Sequence, residues 1–195
     1  MDKHPAYRDA FWRIIIPTIE TADVKSLDPA MKLGLGLHHM GKETPEGDKK
    51  AEELFLAVAD AQDAPDAIKA SALWYLGLLK NRQRRNIEAA EYWCRLAENY
   101  PRDSNAKLAA LNAVKSYEGI MQEKNKTAKE LGLAFQRKYV HALQVLVDNW
   151  GSSDPDILTR NYELGLEYDS MGDFDKAIKA FMKLSLIHIS EPTRL

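Results

Sequence analysis

Apolar residues recur at three- and four-residue intervals along most of the chain, the spacing that gives an α-helix one buried face. Polar turn signals cut that pattern into pieces. Asp28-Pro29 and Asp154-Pro155 each set an N-cap before a proline at the first helical position. Thr127-x-x-Glu130 has the form of a capping box ahead of a long apolar stripe. Gly41, Gly151 and Gly172 follow periodic stretches and read as helix stops. Together these signals predict helices over roughly 5–22 (bent at Pro17), 29–40, 48–62, 65–80, 86–99, 103–122, 126–149, 155–171 and 174–184. The short connections make successive helices antiparallel neighbours.

The pattern also repeats. Leu164-Gly165, Tyr168, Gly172, Phe174, Ala177, Phe181 and Leu184 form one copy; Leu76-Gly77, Ala89, Trp93, Leu96 and Pro101 form another. In both, the Ala follows the Gly by 12 positions and the aromatic follows the Ala by 4. The small residues suit a close approach of two helices, and the large ones fill the space around it. Gly172-Asp173 suits a tight turn.

These residues resemble the tetratricopeptide repeat family, whose unit is a pair of antiparallel helices. The resemblance is best over 70–101 and 158–184. It is weaker over 30–62, where Leu33-Gly34 or Leu35-Gly36 stands too far from Ala51 and Phe55 unless a longer loop at 41–47 absorbs the difference, as in the related Sel1-like repeats. The pair over 103–149 keeps two helices without the Leu-Gly signature. The stretch Ala90-Glu91-Tyr92-Trp93 to Leu96-Ala97-Glu98-Asn99-Tyr100-Pro101-Arg102-Asp103-Ser104 is similar to bacterial envelope versions of the repeat, with Asp103 displacing Ser104 by one position. The resemblance implies an all-α fold, a right-handed superhelical stack of antiparallel helix hairpins (a TPR-like α-solenoid). An N-terminal helix (1–27) would precede an array over 28–183, divided near 28–62, 65–101, 103–150 and 154–183.

Composition agrees with an all-helical chain: it is rich in Ala and Leu and poor in Val. With 27 Lys+Arg against 29 Asp+Glu, the net charge of −2 gives no general attraction to nucleic acid or anionic membrane. The longest apolar run, Ala72 to Leu79, falls far short of the roughly 20 residues of a bilayer span. Met-Asp-Lys-His-Pro at the start lacks a signal-peptide layout, so the chain reads as soluble: cytoplasmic by default, or periplasmic if a signal precedes it. Residues 184–195 resemble a translated sequencing adapter, which implies a non-native tail on a C-terminally truncated array.

Candidate chemistry is sparse. His38 and His39 point about 100° apart on a helix and cannot chelate one metal from one face; His4 or His141 could only be imagined as a third ligand. Cys94, the single cysteine, sits beside Trp93 on an apolar stripe and reads as packing. Lys80, Arg82, Arg84 and Arg85 form a basic run at a helix end without interleaved aromatics, and read as solvated cations rather than an RNA site. Glu52-Glu53 and Asp173/Asp175 are expected in first helical turns. No catalytic, metal or cofactor motif is present, so the chain is not expected to be an enzyme.

By the family resemblance, groove positions flank the signature Leu on the first helix of a hairpin. They fall on Trp74, Leu78 and Asn81, and on Tyr162, Leu166 and Asp169. The aromatic-plus-aliphatic pairs imply an apolar or extended protein partner, and the carboxylate clamp of chaperone-binding members is missing. The expectation is a protein-interaction scaffold. The alternatives are an accessory repeat region of a larger enzyme or sensor and, behind these, RNA binding. Exposed Ile178, Phe181 and Met182 on the last helix predict self-association at that end.

Overall fold

The computed structural model describes residues 15–21, 23–151 and 154–188. His4, the start of the predicted 5–22 helix and residues 189–195 of the predicted tail lie outside them. Every long element is helical, and no strand occurs among the described residues. The chain forms two compact units, 1–84 and 85–195.

In the first unit, a helical stretch at 15–20 and a single 3-10 turn (Val24–Ser26) lead into α1 (Pro29–Gly41), α2 (Pro45–Ala59) and α3 (Asp66–Arg82). Asp28 caps α1 by accepting from Met31 N–H at 2.8 Å, as the Asp-Pro pair predicts. Thr44-Pro45 repeats the device for α2, with Thr44 Oγ1 accepting from Gly47 N–H at 3.1 Å. This helix therefore starts three residues before the predicted position, and Glu52-Glu53 lie in its middle rather than its first turn. Ile16 and Ile19 pack with Leu27, Leu35 and Leu54, which ties the N-terminal stretch to the α1–α2 hairpin. α3 packs along α2 and also touches α1.

The ambiguity between Gly34 and Gly36 is resolved by packing. A Cβ built on Gly36 would lie 2.5 Å from Phe55 Cε1, so only glycine lets the ring seat there. Leu35, Ala51 and Phe55 are all buried. The Gly-to-aromatic spacing is 19 residues here (36 to 55) against 16 in the last hairpin (165 to 181). The two connections are equal in length (42–44 and 171–173), so the longer loop expected at 41–47 does not absorb the difference; the three extra residues are helical, at the start of α2 before Phe55.

The second unit contains α4 (Asn86–Asn99), α5 (Ala106–Lys124), α6 (Leu133–Trp150), the single turn α7 (Pro155–Leu158), α8 (Arg160–Ser170) and α9 (Phe174–His188). Consecutive helices pack together: α4 on α5, α5 on α6, α6 on α8 and α8 on α9. α6 also reaches back to α4. The predicted helix at 155–171 is interrupted at Thr159, which separates α7 from α8.

The α8–α9 hairpin keeps the predicted signature. Gly165 lies under Phe181, where a Cβ would come within 2.7 Å of the ring Cδ1. Leu164, Tyr168 and Ala177 are buried, and Gly172 turns the chain with φ +79°. Tyr168 donates its hydroxyl to Gln144 Oε1 at 3.1 Å, and the Lys176 ammonium sits 5.4 Å from the Tyr168 ring centroid. The other signature residues, Leu76 and Gly77 in the first unit and Ala89 and Trp93 in the second, are buried, whereas Pro101 is exposed.

The start of α6 is displaced furthest from its predicted position. The Thr127–Glu130 box forms, with Thr127 N–H donating to Glu130 Oε2 at 2.7 Å and Glu130 N–H to Thr127 Oγ1 at 3.3 Å. It closes only an isolated turn. Gly132 then takes φ +104° and ψ 158°, a backbone state that side chains do not tolerate, and α6 begins at Leu133.

Candidate functional site

The predicted groove residues keep their helical register. Trp74 and Leu78 are half-buried on one face of α3, with Asn81 exposed one turn further on. Tyr162, Leu166 and Asp169 are all exposed on one face of α8. Tyr162 also leans on Phe181, with ring centroids 5.8 Å apart. The two triplets belong to different units.

Fixing Leu35-Gly36 as the first signature brings in a third set that sequence reasoning missed. The same offsets from Leu35 fall on Leu33, Leu37 and Met40 of α1, all half-buried. α1 and α3 are in contact within the first unit, and the Arg82 guanidinium donates to Met40 O at 3.2 Å. That unit thus presents two apolar sets on neighbouring first helices.

Arg82, Arg84 and Arg85 of the basic run are exposed, as expected of solvated cations, and Lys80 is the exception. Lys80 is fully buried rather than solvated, with its ammonium 2.5 Å from Glu52 Oε1. This corrects the expectation of a solvated helix end: an aliphatic stem within α3 carries the charge inward. Arg82 pairs with Asp48, and Arg85 with Glu88 at 2.6 Å. The acidic groups are engaged in the same way: Asp173 meets Lys176 at 2.7 Å, which holds its carboxyl below the usual range, and Asp175 lies in the first turn of α9.

The histidines show no metal arrangement. His38 Nε2 lies 3.3 Å from Glu20, whereas His39 is buried against its own unit. Burial lowers the His39 pKa, and the nearby Lys42 and Lys50 charges lower it further. His141 pairs with Glu98 at 3.1 Å. Among the described residues, no group of three or more His, Cys, Asp or Glu could hold a metal ion. None of the helices there is long and apolar enough to cross a membrane.

A cleft of about 360 Å³ opens between α4 and α6. Its floor is Cys94 from α4 and Tyr117 from α5, both buried. Tyr117 belongs to an aromatic cluster, edge-on to Phe135 (centroids 5.3 Å apart) and tilted against Tyr139 (6.2 Å). Burial pushes the Cys94 thiol up to about 12, and Glu98 and Glu91 push the same way. Such a thiol stays protonated at neutral pH and is no nucleophile, as its place on an apolar stripe suggested. Burial also raises the Tyr117 hydroxyl.

Two contacts span the mouth: the Glu91–Lys138 ion pair at 2.5 Å, and His141 Nε2 at 3.1 Å from Glu98 Oε1. Glu91, Cys94 and Glu98 share one side of α4 because they stand three and four residues apart. Arg95 and Arg137 complete the wall. No sequence motif announces this cleft, since α4 and α6 contribute residues 47 positions apart, as in Glu91 and Lys138.

Compared with known proteins, the chain matches no family model and no curated protein.

Proposed function

We propose that the chain is a scaffold for protein interaction, built from TPR-like or Sel1-like hairpins in a right-handed stack. It would hold an apolar, extended segment of a partner on the first helices of its hairpins. One observation carries this reading. At the same offsets from each Leu-Gly pair, Leu33/Leu37, Trp74/Leu78 and Tyr162/Leu166 keep apolar surface in reach of solvent, while the Leu-Gly pairs themselves are buried. Aromatic and aliphatic side chains held on rigid helices are the usual anchors of a binding surface.

The test is a screen of immobilised extended peptides with alternating aromatic and aliphatic residues. Trp74→Ala and Tyr162→Ala are each expected to weaken a peptide hit by at least about tenfold, the size of a hot-spot truncation. A stable binder indifferent to both substitutions would overturn the groove assignment.

The α8–α9 hairpin gives the same proposal a second arm, self-association. Tyr162, Leu166, Phe174, Ile178 and Met182 are between 46% and 62% exposed, and Phe181 is half-buried among them. Patches of this kind mark interaction surfaces. Sedimentation equilibrium should show concentration-dependent association that Ile178→Glu abolishes. A wild-type chain monomeric at high concentration would refute it.

A further inference from the structure

The cleft between α4 and α6 has Tyr117 and Cys94 at its floor and charged side chains along its walls. The side chains that meet across its mouth, Glu91 with Lys138 and Glu98 with His141, are each about half exposed. Pairs of that exposure contribute little to stability and exchange partners readily. Arg137 is different. It lines the cleft yet has no hydrogen bond or ion pair among the described residues. The lining carries Arg95, Arg137 and Lys138 against Glu91 and Glu98, which leaves one positive charge with His141 neutral.

An occupant must therefore satisfy two conditions. It needs an apolar, planar body to lie over the Tyr117 edge and the stems of the arginines, since guanidinium planes stack on rings. It also needs one negative charge to pair with Arg137, whose fork matches a carboxylate with two parallel hydrogen bonds. The volume of about 360 Å³ lies within the range of small-molecule sites. We propose that this cleft is a binding site for a small aryl or arylalkyl carboxylate, with its ring over Tyr117 and Cys94 and its carboxylate on Arg137. The site is separate from the groove positions on α1, α3 and α8 and does not depend on them.

The experiment uses the full chain and 1-naphthylacetate, with 1-naphthylacetamide as the neutral isostere, measured by titration calorimetry. The acid is expected to bind with a Kd on the order of 0.1–1 mM. The amide and the Arg137→Gln variant should each weaken binding by about tenfold, the loss of a charge-assisted pair. Arg137 is exposed, so the variant is expected to fold, and its melting curve checks this. No binding by the acid at about 10 mM overturns the proposal, given the sub-millimolar expectation. So does equal affinity for acid and amide, or an Arg137→Gln chain that binds as wild type does.

Discussion

Glycine acts at the scale of single residues here by what it leaves out. Gly36 and Gly165 each yield the volume of one methyl group to a phenylalanine ring, Phe55 and Phe181 respectively. Gly36→Ala and Gly165→Ala should each cost about 1–3 kcal/mol, the usual penalty of forcing extra volume into a packed contact. Chemical denaturation would measure this. For Gly165→Ala, a second change Phe181→Leu should recover part of the loss, because the clash is with the ring and the double-mutant cycle isolates that pair.

His39 makes a different prediction at the same scale. Its folded pKa lies below the ordinary 6.5, so the unfolded chain takes up the proton first as pH falls. Its contribution is complete above about 6.5 and is lost as pH drops from there through the folded pKa. A His39→Gln variant should therefore show a shallower loss of stability below that pH than wild type. Identical slopes in the two proteins would count against the account.

Elements were legible where the sequence carries a local start or stop. Asp28-Pro29 and Asp154-Pro155 place helix starts correctly, because a cap and a proline act within one turn and need no tertiary help. Thr44-Pro45 is the same device and was open to reading, but the glycine at 47 drew the predicted start to 48. Thr127–Glu130 shows the opposite failure. The capping hydrogen bonds form as read, yet the helix does not follow, since Gly132 redirects the backbone. Gly132→Ala should cost about 1–3 kcal/mol, the price of a residue with Cβ in that region. Gly119→Ala, on a helix with open space around the site, should instead be neutral or mildly stabilising. Comparing their melting temperatures separates strain from a general glycine effect.

For the whole molecule, periodicity told which side of each helix is buried but not against which neighbour. The signature residues were therefore found and the α4–α6 cleft was not. Glu91, Tyr117 and Arg137 belong to three helices, and nothing in their spacing links them. The groove candidates came from the repeat offsets, and Leu33, Leu37 and Met40 did not join them because the first Leu-Gly pair was ambiguous until Phe55 chose it. Burial of Cys94 gives a global readout: at neutral pH its alkylation should be slow and should track unfolding. A fast reaction unaffected by stabilising conditions would contradict that burial.

The extra helical residues at the start of α2 have a practical consequence. They leave the ring of Phe55 on Gly36, so the register of this helix pair is set by that contact and not by where the second helix begins. Closing a flexible loop costs only about 0.6 kcal/mol more for each doubling of its length. Glu43, exposed and already at φ +51°, marks the place where the chain can take a spliced epitope or a fluorescent reporter and still close the hairpin in the same phase.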